Sequence, residues 1–201
     1  MRIRTLALAL SALTALLLLT GCSGGPTMNG MDHGSSSPND SAEPFNDADV
    51  DFAMNMIAHH QQAIEMADLV LEKEGVDERV VYLAIAIKEA QGPEISIMTA
   101  WLEGWGGNSM PGMDHGDGMM SDDDMTALEN AGGVEASGLF LEQMIEHHQG
   151  AIDMAEAEVT AGENPDAVAL ARKIIDDQKA EITTMRELLV EIVPAQEGLH
   201  P

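Results

Sequence analysis

The chain has 201 residues, of which 9 are Lys or Arg and 35 are Asp or Glu, and its formal net charge is −26. Such a negative surface disfavours binding to nucleic acid or anionic lipid and raises the local concentration of cations. The single cysteine, Cys22, excludes a disulfide framework. Aromatic residues make up only 3% of the chain while methionine occurs 15 times, which predicts a core of aliphatic and thioether side chains.

Residues 1–21 have the features of a secretory signal peptide. Arg2 and Arg4 form a positively charged start, and the apolar run over residues 6–19 is too short to span a membrane. The run ends in Leu-Thr-Gly-Cys, which is similar to a bacterial lipobox. We therefore predict that the mature protein begins at a lipidated Cys22 and is anchored to the cell membrane on its extracytoplasmic side.

Two segments have the composition of linkers, namely residues 22–46 and residues 106–133. The first segment contains Met-Asn-Gly-Met-Asp-His-Gly, and the second contains Met110, Met113 and His115 within Met-Pro-Gly-Met-Asp-His-Gly. Two or three sulfurs and one imidazole from such a segment can wrap a monovalent copper ion. The alternatives are a low-complexity linker that happens to contain methionine, or a segment that buffers oxidation.

The rest of the chain contains two similar segments, over residues 47–105 and 134–193. Residues 56–67 read MIAHHQQAIEMA and residues 144–155 read MIEHHQGAIDMA, an offset of 88 positions. Further matches, such as Gln91, Glu94 and Met98 with Gln178, Glu181 and Met185, follow at an offset of 87. This number of ordered matches predicts an internal duplication.

Each copy is predicted to form a helical hairpin. The predicted boundary residues are Asn46 or Asp47, Gly75 and Asp77 in the first copy, and Gly162, Asn164 and Pro165 in the second. The short turns force antiparallel neighbours, so an antiparallel four-helix bundle is expected over residues 47–193, with residues 194–201 as a tail. Gly92-Pro93 interrupts the second helix and predicts a kink there.

Helical periodicity places polar side chains on the buried faces of both hairpins. His60 and His148 lie in the middle of the apolar stripes of their helices, with His59 and His147 at the edges. A buried carboxylate must be paired or must bind a cation, and the nearest partners are these histidines. The predicted interior layer, edged by methionines, consists of His60, His148, Glu94, Glu181, Gln91 and Gln178. Such a layer either binds metal or only fixes the packing of the helices.

The residues beside the histidines favour a soft metal. The ferritin-like di-iron pattern needs Glu-x-x-His, whereas this chain has Met56 three residues before His59 and Met144 three residues before His147. Thioether and imidazole ligands together favour Cu(I) or Ag(I) over iron, manganese or magnesium.

These motifs also resemble a known family. The pattern Phe-x-x-x-Met-Ile-x-His-His-x-x-Ala-Ile-x-Met-Ala over residues 52–67 and the pattern Gln-x-x-Glu-Ile-x-x-Met-x-x-Trp-Leu over residues 91–102 are similar to the bacterial secreted family named domain of unknown function 305. The resemblance covers about residues 47–193 and implies a ferritin-like helical bundle. Some members resemble periplasmic copper-binding and copper-resistance proteins, which implies handling of Cu(I) or Ag(I). The implied ligands are Met56, His59, His60, Met66, Met144, His147, His148 and Met154.

Three functions are compatible with the sequence. The leading hypothesis is a non-enzymatic envelope lipoprotein that captures Cu(I) or passes it to a copper-delivery partner, with Glu94 and Glu181 completing the ligand set. The second is a redox enzyme with a di-metal centre of His and Glu ligands, although no nucleophile, base and orienting residue form a recognisable triad. The third is a helical interaction module in which the His–Glu layers only specify packing. The oligomeric state is left open.

Overall fold

The computed structural model describes residues 43–106 and 118–193, which contain helices and no strands, so the predicted all-α class is confirmed. The helices are α1 (Asp47–Leu71), α2 (Glu78–Trp105), α3 (Asp122–Asn130), α4 (Gly133–Ala161) and α5 (Pro165–Ile192). None of the helices described here is both long and apolar enough to cross a membrane. Cys22, Met110, Met113, His115 and the tail over 194–201 lie outside the described residues.

The helices begin at the predicted capping residues. The Asn46 side chain accepts hydrogen bonds from the N–H groups of Ala48 and Asp49, and the Asp49 carboxylate accepts one from the Asn46 N–H, which is a capping box. Asp77 caps α2, and Asn164 caps α5 with Pro165 as its first residue.

The end of α1 differs from the sequence-based expectation. The helix ends at Leu71, and the residue that follows, Glu72, is still right-handed, so Gly75 does not cap it. Gly75 instead provides a positive φ of 79° in the connection to α2, a conformation that glycine adopts at little cost.

The proline in α2 does not break the helix, which is continuous from Glu78 to Trp105. Pro93 removes one backbone donor and crowds the carbonyl of Glu89. Both residues are exposed, so the Glu89 carbonyl, which loses its hydrogen-bond donor, lies on the solvent side of the helix.

The interpretation of residues 106–133 as a linker was wrong for its second half, because residues 122–130 form α3. Ser121 and Asp124 form a capping box at its start, and three aspartates in its first turn interact favourably with the helix dipole. Leu128 is fully buried and holds the helix against the protein. A run of aspartates therefore marks a helix start here rather than a loop.

The four long helices form two hairpins, because α1 packs along α2 and α4 packs along α5. The hairpins meet through α1 and α4. These two helices are antiparallel, since Asn46 at the start of α1 donates to the carbonyl of Ala161 at the end of α4. At the opposite end, Gly75 approaches Gly133 at the start of α4. This arrangement brings the middles of α1 and α4, where the two histidine motifs lie, against each other.

The core contains mainly aliphatic and methionine side chains, as the composition predicts. Burying one such side chain fully contributes about 1.5–3 kcal/mol. The fully buried methionines are Met56, Met66, Met98, Met144 and Met185. Three of the few aromatic side chains form a stack where α1 begins and α2 ends, with ring centroids 5.0 Å apart for Phe45 and Trp105 and 5.8 Å apart for Trp101 and Trp105.

Candidate metal centre

The imidazoles of His59 and His147 contact each other at the centre of the interface between α1 and α4. Their ring centroids are 3.6 Å apart with an angle of 37° between the ring planes, and both side chains are buried. Within the described part of the chain, neither nitrogen of either ring has a hydrogen-bond partner of good geometry, although each ring lies near the backbone of the other histidine. Each unsatisfied buried polar group lowers the free energy of unfolding by about 1–3 kcal/mol. The pair therefore destabilises the fold if its role is only to pack the helices.

Burial keeps these rings neutral. Burial, together with the nearby His60 and His148, lowers the pKa of His59 to about 3. Burial, together with His59, also lowers the pKa of His147 well below its usual value. Neutral imidazoles have free lone pairs, so both rings are ready to bind a metal without first losing a proton.

The second histidine of each motif is paired with a carboxylate of its own hairpin, which confirms the predicted His–Glu layer. His60 Nε2 lies 2.9 Å from Glu94 Oε2, and His148 Nε2 lies 2.7 Å from Glu181 Oε2. Among the described residues, the Nδ1 atoms of both rings have no partner. If each Nε2 carries the proton that bonds to the carboxylate, each Nδ1 has a buried lone pair with no partner, as in metal-binding histidines oriented by a carboxylate. Burial lowers the pKa of His60 and outweighs the opposing effect of Glu94.

The two carboxylates have different surroundings. Glu94 is buried and also accepts a hydrogen bond from Lys173 Nζ of α5 at 3.0 Å. Burial raises the pKa of Glu94, but the hydrogen bonds from His60 and Lys173 outweigh it, so the net shift is downward. The side chain of Glu181 is 23% exposed, and its partner is His148. The two halves of the centre are therefore not equivalent.

Thioethers flank the histidines. Met56 and Met144 are fully buried and lie one turn before His59 and His147, on the same side of their helices. Met56 packs in the same cluster as Ala151 of α4, and Met144 packs in the same cluster as Ala63 of α1. Each of these side chains thus belongs to a cluster that includes residues of both α1 and α4.

The other two methionines of the motifs differ in exposure. Met66 is fully buried and packs with Met144, whereas Met154 is half-buried.

Two glutamines extend the polar layer, as the sequence predicts. Gln91 and Gln178 are both buried. Within the described ranges, both side-chain polar atoms of Gln91 and Oε1 of Gln178 have no partner.

The atoms that are free to act as metal ligands are imidazole nitrogens and thioether sulfurs. The carboxylates of Glu94 and Glu181 already accept hydrogen bonds from His60, His148 and Lys173. In residues 43–106 and 118–193, no three His, Cys, Asp or Glu side chains are grouped closely enough to enclose an ion. Imidazole and thioether together suit soft monovalent cations, so the residues present fit Cu(I) or Ag(I).

Sequence reasoning missed a contact between Gln62 and the segment before α3. Gln62 Nε2 donates to the Met120 carbonyl at 2.9 Å, and the Met120 N–H donates to Gln62 Oε1 at 2.7 Å. One signal was available, since Gln62 corresponds to Gly150 in the second motif and is one of only three differences between the two twelve-residue motifs.

Sequence reasoning also missed a buried pair of acidic side chains away from the histidines. Asp49 accepts hydrogen bonds from the backbone N–H groups of Asn46, Glu163 and Asn164, which ties the start of α1 to the α4–α5 connection. Glu158 of α4 is 2% exposed, and burial and the adjacent Asp49 raise its pKa to about 8. Glu158 therefore keeps its proton at neutral pH.

Comparisons with known proteins agree with this fold. The family model described as "Domain of unknown function (DUF305)" matches residues 49–189. A DUF305 protein of Streptomyces coelicolor, described as secreted, is 36% identical with a TM-score of 0.67, and the match covers 76% of this chain and 98% of that chain. A DUF305 fragment of Deinococcus radiodurans is 31% identical with a TM-score of 0.68, covering 74% of this chain and 99% of that chain.

CopM in its Cu(I)-bound form is 34% identical to this chain with a TM-score of 0.62, and the match covers 72% of this chain and 97% of that chain. CopM has also been solved in Cu(II)-bound, Ag-bound and apo forms. Among the curated proteins, no sequence matches this chain. Since the family pattern spans most of the folded region and the structural matches extend over nearly the whole of those chains, the resemblance is confirmed and the protein belongs to the DUF305 family.

Proposed function

We propose that this protein captures Cu(I) or Ag(I) outside the cytoplasm and holds or passes on the ion without chemical turnover. The observation that carries the proposal is the contact between His59 and His147, two buried neutral imidazoles whose four ring nitrogens have no hydrogen-bond partner among the described residues. A protein that only needed to pack its helices would place apolar side chains there, because unsatisfied buried nitrogens are destabilising.

The other residues of the centre have distinct roles in this proposal. His60 and His148 supply Nδ1, and Glu94 and Glu181 orient these rings through Nε2 instead of binding the ion themselves. Each of the two motifs contributes two methionine sulfurs. They are Met56, Met66, Met144 and Met154.

Charge and ligand type explain how such a protein would select its cargo. The net charge of −26 attracts every cation to the surface. Thioethers and neutral imidazoles then favour soft monovalent ions, whereas Fe(II) and Mg²⁺ prefer the oxygen ligands that are occupied here. The relationship to CopM, which has been solved with Cu(I) and with Ag, supports binding of these ions.

We further propose that Met110, Met113 and His115 make the first contact with the ion, and that a lipid on Cys22 anchors the protein to the membrane. The described fold supports a ferritin-like four-helix bundle as its body, because the two hairpins pack through α1 and α4 and α2 also contacts α5. A copper-delivery protein would be the partner that receives or supplies the ion.

A redox enzyme with a di-metal centre is the second candidate, since two carboxylates do lie beside the histidines. Against it stands the occupation of these carboxylates by His60, His148 and Lys173. A structural module is the third candidate, and it requires that the centre binds no metal at all.

One experiment distinguishes the three. The full-length chain is purified anaerobically, exposed separately to Cu(I), Ag(I), Fe(II) and Zn(II), and its bound metal is measured. We expect retention of Cu(I) and Ag(I), which the double variant His59→Leu, His147→Leu loses and the exposed control Gln61→Leu keeps.

Other outcomes identify the alternatives. Retained iron that Glu94→Gln abolishes would support the enzyme, and retention of no metal by a folded protein would support the structural module. Replacing residues 107–117 with a Gly-Ser segment tests the linker: if copper is lost only in that variant, the site lies in the linker and not between α1 and α4.

A further inference from the structure

The two repeated motifs differ most in side-chain size at Gln62 and Gly150, and both of these residues contact the segment before α3. Gln62 follows His59 by one helical turn in α1, and Gly150 follows His147 by one turn in α4. The side chain of Gln62 forms two hydrogen bonds with the backbone of Met120, at 2.9 and 2.7 Å. A matched pair of amide hydrogen bonds fixes both the position and the direction of that backbone.

Gly150 makes room for the residue at the other end of the same short segment. A Cβ atom on Gly118 would lie 2.7 Å from Gly150 Cα and 3.2 Å from the carbonyl oxygen of Glu146. Gly118 also has a φ of +87°. Gly118 therefore allows its backbone to touch the backbone of Gly150, which a larger side chain at position 118 would not permit.

Residues 118–120 thus cross the interface between α1 and α4 close to the histidine pair. The segment contacts α4 through Gly118 and α1 through Met120, and both contacts lie within about one helical turn, roughly 5.4 Å, of the level of His59 and His147. Met120 is buried and packs in the same cluster as Met144, whereas Met119 is half-buried. One buried and one half-buried methionine are therefore held in a segment that contacts both helices within about one turn of the buried imidazoles.

We propose that Gln62 and Gly150 form a docking site for residues 118–120, and that this docking positions Met119 and Met120 to pass Cu(I) or Ag(I) between the protein surface and the buried histidines. This inference rests on the proposed function. Gln62 acts as a positioning residue and binds no metal, while the two thioethers exchange as ligands on the passing ion. A ligand held at the path of entry speeds exchange because its effective concentration is high, and it contributes little to the final affinity.

The test separates the rate of metal transfer from the amount of metal bound. Cu(I) held by a chromophoric chelator is mixed anaerobically with the full-length chain, and transfer is followed by stopped-flow absorbance. We expect Gln62→Leu, Gly118→Ala and the double variant Met119→Leu, Met120→Leu to slow transfer by roughly tenfold or more, as loss of a preorganised ligand implies, with unchanged stoichiometry. Gln61→Leu, an exposed glutamine of the same motif, is the matched control and should transfer at the normal rate.

The outcomes for the two proposals differ. If the wild-type chain binds no Cu(I), the proposed function fails. If it binds Cu(I) but these variants transfer it at the wild-type rate, the positioning role is wrong while the function stands. If Gln62→Leu and Gly118→Ala lose rate and stoichiometry together, the docking is structural and the inference is also overturned. Far-ultraviolet circular dichroism confirms the helical content of each variant, and Met119→Leu, Met120→Leu tests the thioethers with Gln62 intact.

Discussion

At the scale of single residues, the molecule contains two kinds of buried polar groups with opposite consequences. His60 and His148 are paired with carboxylates and therefore help to hold each hairpin together. His59 and His147 have no partner among the described residues and therefore reduce stability in the metal-free state. Binding sites often accept such a loss of stability in exchange for function.

The first prediction concerns this difference. Replacing His59 and His147 with leucine removes four unsatisfied nitrogens, so the free energy of unfolding of the metal-free protein should rise by about 1–3 kcal/mol. Urea denaturation followed by circular dichroism measures it. The control His60→Leu should destabilise, because it leaves the buried Glu94 carboxylate without its histidine. A double variant that is less stable than wild type would contradict the functional interpretation of the pair.

A second residue-scale prediction concerns Glu158. Its pKa is about 8 in the folded protein against a usual value of 4.5, so the folded state holds a proton that the unfolded state has lost over that range. The free energy of unfolding should therefore fall as pH rises from about 4.5 to about 8, by at most about 1.4 kcal/mol per pH unit from this group.

Glu158→Gln should remove that part of the pH dependence and raise the melting temperature most at pH 8. The exposed neighbour Glu163 provides the control variant Glu163→Gln. Thermal unfolding at pH 5, 6.5 and 8 measures the effect. An identical pH dependence in Glu158→Gln and wild type would show that Glu158 is not a buried neutral acid.

At the scale of the helices, Glu94 forms an ion pair between the two hairpins, whereas the partner of Glu181 lies in its own hairpin. Lys173 of α5 contacts Glu94 of α2 and thereby joins the second hairpin to the first. The same lysine also pairs with Asp177, one turn further along α5. Because Glu94 is buried, this pair is less screened by solvent than an ordinary surface pair.

The third prediction follows from that contact. Lys173→Met should lower the free energy of unfolding by about 1 kcal/mol, the upper end for a pair whose lysine is itself exposed. Lys179→Met removes a pair in which both side chains are exposed, with Glu156, and should change stability by less than about 0.5 kcal/mol. Denaturant titration compares the two. Equal losses of unfolding free energy in the two variants would mean that the pair between the hairpins stabilises the protein no more than an exposed surface pair does.

At the scale of the whole molecule, a strongly acidic exterior surrounds a neutral interior site. The surface collects cations, while the interior offers imidazoles whose low pKa keeps them unprotonated and sulfurs that never bind protons. If the pair binds Cu(I) as proposed, His59 and His147 would keep the ion at an acidic pH where ordinary histidine sites lose their metal to protons.

The fourth prediction is that Cu(I) affinity changes little between pH 8 and pH 5. The pKa of His59 is about 3, so protons do not compete for this ring in that range. Competition with a Cu(I) chelator at several pH values, corrected for protonation of the chelator, measures it. A tenfold loss of affinity per pH unit below pH 6.5 would contradict this prediction, because it would mean that the histidine ligands titrate near the ordinary pKa.

Much of this organisation was predictable because it depends on local rules. The helical period places His60 and Glu94 on facing sides of neighbouring helices, and a short connection forces those helices to be antiparallel, so their pairing follows from the sequence. Caps at Asn46, Asp77 and Asn164 follow from residue type. The helix at residues 122–130 was missed because its acidic composition is also typical of loops.

The amino-acid sequence by itself determined the helical hairpins, their His–Glu pairs and the kinds of ligand atom available, since these depend on residues close in the chain or on one helical face. Only the tertiary structure decided that His59 meets His147, that Lys173 reaches Glu94 and that Gln62 holds Met120. Those contacts depend on how the hairpins are rotated and shifted against each other. Close packing of the whole core sets that rotation, and no local pattern specifies it.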